Sequence, residues 1–221
     1  MSSEVAVLFD LDGLLIDSEP IWSVAEAEVM EWLGGTWTLD VKAACLGIPY
    51  DESCRKLVEL AGSDVDVKVV MTRLLERMCV LFAADLPWLP GARGLLDALA
   101  AREVPLALVS STYRVLLDAA LGQIGRDRFR VTIAGDEVPA AKPAPDPYLL
   151  AAAALGYPPA RCVVLEDSPA GVASAEAAGC AVVAVPNVVP IEPAPSRHVR
   201  ASLDDVDAEW LLSLATARVA H

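Results

Sequence analysis

The sequence is poor in several features, and each shortage narrows what the protein can do. It has only two histidines and 5% aromatic residues among its 221 residues. With no GxSxG motif as well, a serine–histidine catalytic triad is disfavoured. No apolar run reaches the roughly 18 residues that a membrane-spanning helix needs. The five cysteines are scattered and never form a CxxC pair, which argues against a disulfide framework or a zinc site.

Basic residues are also scarce, with 17 Lys and Arg against 31 Asp and Glu, a formal net charge of −14. Such a surface repels nucleic acid and anionic membranes, and no basic run overrides it. It also repels anionic substrates, so a phosphate site would need a metal ion or a placed lysine. The N-terminal residues lack the basic start and apolar stretch of a signal peptide. We therefore predict a cytoplasmic protein with a small-molecule partner, and no feature indicates an oligomeric state.

Short apolar runs alternate with helical patterns along most of the chain. Because the runs are rich in Val, Leu and Ile without strict alternation, they are typical of strands covered on both faces. The alternation predicts an α/β fold with a doubly wound, parallel, Rossmann-like sheet. The predicted strands are Val5–Phe9, Val104–Val109, Arg130–Ala134, Cys162–Leu165 and Ala181–Val185, with a weaker one near His198–Ser202. The predicted helices are Ala92–Ala101, Tyr113–Ile124, Pro147–Leu155, Pro169–Ala178 and Ala208–Arg218.

The first connection differs from the others because it is long and contains only helical patterns. These patterns cover Pro20–Leu33, Asp51–Ala61 and Asp66–Ala84. A crossover of this length is expected to form a small domain of its own. We therefore predict a helical cap domain at residues 17–86, and a Rossmann-like core at residues 1–16 and 87–221.

Two acidic pairs directly follow predicted strands. Asp10 and Asp12 come after the first strand, and Glu166 and Asp167 come after the fourth. Ligands of a doubly wound sheet gather at the carboxyl ends of its strands. Either pair could instead cap a turn or a helix, and for the second pair Asp167 or Ser168 would cap a helix that starts at Pro169. An EF-hand calcium loop is excluded for the first pair, because Gly13 stands at position four rather than six.

Hydroxyls and a lysine follow two further predicted strands. Ser110 and Ser111 precede a helix start, where hydroxyls and backbone N–H groups suit a phosphate. Lys142 follows the third predicted strand and is held by the prolines of a short stretch, Ala141–Pro145. Taken alone, the serines are as expected of an N-cap, and the lysine of a solvated surface. Together, acidic, hydroxyl, lysine and acidic elements in this order predict a phosphate-processing site.

The segments FDLDGLLIDSEP, LVSST, KPAPDPY and LEDSPAG resemble the four motifs of the haloacid dehalogenase superfamily. The resemblance covers nearly the whole chain. More narrowly, the sequence resembles the branch that holds beta-phosphoglucomutase and the deoxyglucose-phosphate and hexitol-phosphate phosphatases. The insert lies between the first and second motifs, as the helical cap of that branch does.

The resemblance implies a phosphatase mechanism with a covalent intermediate. Asp10 would attack phosphorus and form an aspartyl-phosphate, and Asp12 would be the general acid and base. Mg²⁺ would be held by Asp10, the Asp12 backbone carbonyl, Asp167 and Glu166, the last directly or through water. The resemblance further assigns phosphate binding to Ser110, the Ser111 N–H group and Lys142. The substrate would be a sugar or sugar-alcohol phosphate.

Formal charges make the metal ion a requirement of this mechanism. Asp10, Asp12, Glu166 and Asp167 sum to −4 when all are ionised, and Lys142 with Mg²⁺ adds +3. Crowded carboxylates raise one another's pKa, so a protonated Asp12 would bring the total to zero. Without the metal ion, a phosphate dianion would meet a strongly negative pocket.

Four alternatives to this interpretation are less well supported by the residues. The dehalogenases of the superfamily lack the second aspartate, and phosphonate cleavage also departs at that position, so Asp12 disfavours both. A non-catalytic binding module is disfavoured because every chemical position is filled. A sugar phosphomutase is the main alternative, but mutases of this branch carry a histidine in place of Trp22 and a cap arginine near Tyr50.

Four residues of the predicted cap domain are candidates for substrate contact: Trp22, Trp37, Tyr50 and Arg55. Each could equally be a packing residue.

Overall fold

The structure, a computed structural model, describes residues 4–45, 48 and 50–218. The first and last three residues of the predicted core, and residues 46, 47 and 49 of the predicted insert, lie outside the described residues. The elements follow in the order β1 (Ala6–Phe9), α1 (Glu19–Trp32), α2 (Leu39–Cys45), α3 (Tyr50–Ala61), α4 (Val67–Ala84), α5 (Ala92–Ala100), β2 (Leu106–Val109), α6 (Arg114–Ile124), β3 (Val131–Ile133), α7 (Asp146–Leu155), β4 (Cys162–Glu166), α8 (Pro169–Ala177), β5 (Ala181–Ala184), β6 (Arg197–Val199) and α9 (Ala208–Arg218).

The six strands of the described residues form one parallel sheet in the order β3-β2-β1-β4-β5-β6. The fold class predicted from the sequence is therefore confirmed. β1, β2, β4 and β5 are fully buried along their length, which explains their continuous apolar runs. β3 and β6, at the two edges, are only partly buried. The first strand in sequence is thus central in space.

Strand order places β1 between two strands from distant parts of the chain. Leu8 pairs with Ala107 of β2 on one side and with Val164 of β4 on the other. On one face, small and branched side chains of these strands pack against the buried side chains of α7 and α8. Tyr148 of α7 is the largest side chain in this cluster and is 0% exposed.

The chain divides into two compact units, one of residues 18–85 and one of residues 1–17 and 86–221. In the helical unit, α1 packs on α3 and α4, and α3 packs on α4. Val70, Leu74, Met78 and Phe82 of α4 are all 0% exposed, and their spacing of four residues places them on one helix face. In the sheet unit, the two segments at which the chain leaves and re-enters are joined, because the Asp17 N–H group donates to the Pro87 carbonyl at 2.9 Å.

The sequence did not predict α2. This helix has only seven residues, and Val41 and Cys45 are its buried side chains. Two buried positions make too short a pattern to separate a helix from a loop. No helix among the described residues combines the length and the apolar character that crossing a membrane requires.

Candidate active site

Polar residues at the carboxyl ends of β1, β2 and β4 lie together at one end of the parallel strands. The parallel hydrogen bonding continues one residue beyond β1, where the Asp10 N–H group donates to the Leu165 carbonyl at 3.1 Å. Beyond β2, the Ser110 N–H group donates to the Ile133 carbonyl at 3.0 Å. Glu166 is the last residue of β4. Because parallel strands point the same way, their carboxyl ends bring these three side chains together.

Lys142 lies at the centre of this group, and its ammonium donates three hydrogen bonds. The acceptors are Asp10 Oδ1 at 2.6 Å, Glu166 Oε1 at 2.6 Å and the Val109 carbonyl at 3.0 Å. An ammonium has three N–H donors, so all of them are used, and the side chain is only 5% exposed. Burial alone would lower the pKa of Lys142, but attraction by Asp10 and Glu166 prevails and raises it. Lys142 is therefore a fixed positive charge.

The Glu166 carboxylate is 0% exposed and accepts hydrogen bonds on both oxygens. Oε1 accepts from Lys142 and from the Tyr148 hydroxyl, the latter at 2.7 Å. Oε2 accepts from the Ser168 N–H group at 3.2 Å and from the Ser168 hydroxyl at 3.1 Å. A Cβ on Gly171 would overlap this carboxylate. Glycine at that position of α8 lets the carboxylate pack directly on the helix backbone.

Ser168 is the N-cap of α8, with its hydroxyl accepting from the Gly171 N–H group and Pro169 at the first helical position. The capping alternative for the acidic pair therefore applies to Ser168 and not to Asp167. Because Ser168 also donates to Glu166, the start of the helix and the end of β4 are fixed to each other.

The segment after β1 turns sharply at Gly13, which has φ of +82°, a conformation that favours glycine. The Leu11 carbonyl accepts from the Leu15 N–H group at 2.9 Å, and the Gly13 N–H group donates to the Ile16 carbonyl at 2.8 Å. A Cβ on Gly13 would overlap Asp167 Oδ2. The turn therefore brings backbone close to the Asp167 carboxylate.

Asp10, Glu166 and Asp167 form an acidic cluster in which one carboxylate oxygen of each lies within 4.8 Å of the others. Burial, and then the neighbouring Glu166, Asp167 and Asp12, raise the pKa of Asp10 well above its ordinary value, although Lys142 opposes this. Burial and Glu166 also raise the pKa of Asp167 to about 7. Three carboxyl groups therefore lie beside a single ammonium, and their ionised forms carry more negative charge than Lys142 neutralises. An oxygen-ligated divalent cation fits such a donor set.

The loop after β2 is held by a neighbouring loop. The Ser110 hydroxyl donates to Asp12 Oδ2 at 3.2 Å and accepts from the Thr112 N–H group at 3.0 Å. The Gly135 N–H group donates to the Thr112 carbonyl at 2.8 Å, and a Cβ on Gly135 would overlap the Ser111 backbone. Ser110 is 3% exposed, whereas Ser111 is exposed. The loop presents one buried hydroxyl to Asp12 and leaves its next residue open to solvent.

Sequence reasoning missed Tyr148 and Gly171 as members of this site. Tyr148 lies in an apolar, alanine-rich helix, where a buried aromatic residue is read as core. Burial raises the pKa of Tyr148 well above its ordinary value, and Glu166 adds to this, so its hydroxyl is a hydrogen-bond donor. The available signal for Tyr148 and Gly171 was their place as the last residues of the motifs KPAPDPY and LEDSPAG, to which no role was assigned.

The candidate substrate residues of the helical unit have different surroundings. The rings of Trp22 and Tyr50 are in contact, with centroids 6.1 Å apart. The Tyr50 hydroxyl donates to the Met71 carbonyl. Arg55 is exposed and forms an ion pair with Asp51 one helical turn earlier. Trp37 is half-buried. Trp22 and Tyr50 therefore form an aromatic pair, and Arg55 is a surface residue.

Comparison with known proteins agrees with these features. Residues 5–179 match the model of the family described as haloacid dehalogenase-like hydrolase. A phosphorylated carbohydrates phosphatase of Thermotoga maritima is 33% identical over 79% of this chain and 81% of its own length. Hexitol phosphatase A of Escherichia coli is 38% identical over 80% of this chain and 81% of its own. The crystal structure of CbbY from Rhodobacter sphaeroides in complex with phosphate matches with a TM-score of 0.80 and 28% identity, covering 93% of this chain and 96% of that one.

The family match spans all four sequence motifs, and the resemblance drawn from them is confirmed. The chain belongs to the haloacid dehalogenase-like hydrolase family.

Proposed function

We propose that the protein is a Mg²⁺-dependent phosphatase that hydrolyses the phosphate ester of a small sugar or sugar alcohol through an aspartyl-phosphate. The observation that carries this proposal is the contact of Asp10 with the buried Lys142 ammonium at 2.6 Å, beside two further carboxylates. The named activities of the relatives, on phosphorylated carbohydrates and hexitol phosphates, support the substrate class.

The acidic cluster supports a magnesium site. We assign Asp10, Asp167 and the Asp12 backbone carbonyl as direct ligands. Glu166 accepts four hydrogen bonds from protein groups, which disfavours direct ligation, and we assign it a place beside the ligands, where its negative charge adds to the attraction for the cation. Bound Mg²⁺ would polarise a phosphoryl oxygen and offset the negative charge of the carboxylates. Occupation of the site would also lower the raised pKa values of Asp10 and Asp167, because a nearby cation favours the ionised form.

Asp10 is the proposed nucleophile. One carboxylate oxygen forms a bond to phosphorus while the ester P–O bond breaks, and a proton from Asp12 passes to the leaving alcohol oxygen. A water molecule then attacks the same phosphorus and gives a proton to Asp12. The aspartyl P–O bond breaks, inorganic phosphate leaves, and both carboxyl groups return to their starting states. The Ser110 hydroxyl, 3.2 Å from Asp12 Oδ2, keeps that carboxyl oriented toward the site.

Lys142 is the proposed charge stabiliser of the transferring phosphoryl group. Glu166 and the Val109 carbonyl hold its ammonium in place, and its third N–H group faces Asp10. A positive charge fixed in advance stabilises the transition state without having to reorganise during the reaction. Ser110 and the Ser111 N–H group are the proposed phosphate contacts at the end of β2.

We assign substrate selection to the helical unit as a cap domain. Its aromatic pair, Trp22 and Tyr50, offers ring faces and no positive charge. A mutase would need cationic groups to hold the second phosphate of a bisphosphate intermediate. A cytoplasmic location, without nucleic acid or membrane partners, stays a prediction of the sequence.

The proposal is tested by incubating the protein and Mg²⁺ with a panel of hexose and hexitol monophosphates. We expect release of inorganic phosphate, no stimulation by a sugar bisphosphate, and no release by the Asp10→Asn control. Conversion of glucose 1-phosphate to glucose 6-phosphate faster than phosphate appears would replace the phosphatase assignment with a mutase. No turnover of any phosphate ester would contradict both.

A further inference from the structure

We propose that Tyr148 is a positioning residue of this site: its hydroxyl shares Glu166 Oε1 with the Lys142 ammonium, and this sets the position of Lys142 between Glu166 and Asp10. The Tyr148 hydroxyl donates to Glu166 Oε1 at 2.7 Å, and the Tyr148 ring lies beside the Lys142 ammonium. The consequence for turnover rests on the proposed function, whereas the effect on Lys142 does not.

The hydrogen bonding around Glu166 leaves little freedom. A carboxylate offers about four lone-pair sites, and Glu166 accepts from four donors contributed by Lys142, Tyr148 and Ser168. On the remaining side, the carboxylate packs against the backbone at Gly171. Since Glu166 is 0% exposed, water cannot replace a lost donor. Each donor therefore contributes to one orientation of the carboxylate.

The Lys142 ammonium shares Glu166 Oε1 with Tyr148. Lys142 Nζ lies 2.6 Å from this oxygen and 5.0 Å from the centroid of the Tyr148 ring. When the hydroxyl is absent, Oε1 has only the ammonium left as a donor. The negative charge on Oε1 then attracts Lys142 more strongly, in competition with Asp10. We expect the contact between Lys142 and Asp10 to lengthen.

Such a displacement affects the reaction more than it affects binding. A fixed charge that stabilises a transferring group acts chiefly in the transition state, where small errors of position reduce the rate. Binding of the intact ester would also draw on the proposed metal ligands Asp10 and Asp167 and on Ser110, whereas the Tyr148 hydroxyl donates to Glu166. We therefore expect loss of the hydroxyl to lower kcat and leave KM nearly unchanged.

The variant Tyr148→Phe removes the hydroxyl and keeps the ring in the core. The matched control is Tyr157→Phe, which removes a hydroxyl next to the same core cluster and outside the proposed site. With Mg²⁺ and a phosphate ester in excess, we expect kcat of Tyr148→Phe to fall about tenfold, with KM within about twofold of the wild type. The control should keep both constants. Unchanged kcat in Tyr148→Phe, with an active wild type, overturns the inference.

A second measurement does not depend on turnover. The Lys142 ammonium signal, assigned by its loss in Lys142→Met, is followed by nitrogen-edited nuclear magnetic resonance. We expect it to shift in Tyr148→Phe and to stay in place in Tyr157→Phe. An unmoved Lys142 signal overturns the inference, even if kcat falls, because Tyr148 would then act on the fold alone. If the wild type hydrolyses no ester, the proposed function fails, and the Lys142 signal still decides the role of Tyr148.

Discussion

Replacement of Gly171 by alanine tests how closely the site depends on the backbone of α8. Alanine is the better helix former by about 1 kcal/mol, so an exposed site would be stabilised. At Gly171 the new Cβ would lie less than 3.0 Å from the Glu166 carboxylate, which must move away from Lys142 and Tyr148. Loss of two hydrogen bonds to a charged group costs about 3 to 6 kcal/mol, so the net destabilisation is about 2 to 5 kcal/mol.

The assay combines chemical denaturation with phosphate release from a chromogenic ester. Gly122→Ala is the control, because Gly122 is also helical and has no atom within 4 Å of an added Cβ. We expect the control to gain about 0.5 to 1 kcal/mol of stability with full activity. Gly171→Ala should lose stability and at least about a hundredfold in kcat, since about 2.7 kcal/mol of barrier is a hundredfold in rate. Wild-type kcat and increased stability in Gly171→Ala would refute the packing argument.

Three further predictions follow from the charged groups. Asp10→Asn should fold and lose essentially all turnover, measured as phosphate release. In the same assay, chelation of the metal ion should abolish activity reversibly. Ca²⁺ should inhibit, because the ion is larger than Mg²⁺ and its ligand shell is looser. Because the metal-free pKa of Asp167 is raised to about 7, this group's contribution to stability is present below about pH 4 and is lost as pH rises through 7. Asp167→Asn should therefore stabilise the metal-free protein at pH 8 and remove stabilisation by Mg²⁺ in thermal unfolding; a destabilised variant would contradict this. Burial raises the pKa of Glu26 in the helical unit to about 7, so Glu26→Gln should flatten the loss of stability between about pH 4.5 and 7, and an unchanged pH profile would count against it.

Much of the sheet could be predicted because its central strands are buried on both faces. Continuous apolar runs such as the one in β4 have that cause, and the polar residues that end them mark the edge where the site lies. The edge strand β6 gave a weaker signal because it is only partly buried. Its observed bounds, Arg197–Val199, are displaced from the predicted His198–Ser202.

The contacts of Glu166 could not be predicted because they depend on how side chains pack in three dimensions, which leaves no periodic pattern in the sequence. A glycine within a helical segment, such as Gly171, is read as a tolerated weakness. Only the structure shows that a side chain there would overlap a carboxylate. Tyr148 was hidden for a similar reason, since its apolar surroundings predict a core position, which it does occupy. The sequence carries no separate sign of the hydroxyl's partner.

The central position of β1 also governs when the site can form during synthesis. Val7 pairs with Leu106 and with Val163, so this strand leaves the ribosome long before either neighbour exists. Closing such long loops costs entropy before any pairing repays it. Until β4 has been made, Asp10 therefore stays exposed to water, and the burial that raises its pKa is missing. A nascent chain that stalls before Cys162 would leave one side of β1 without its partner strand, and would lack the buried setting on which the proposed chemistry depends.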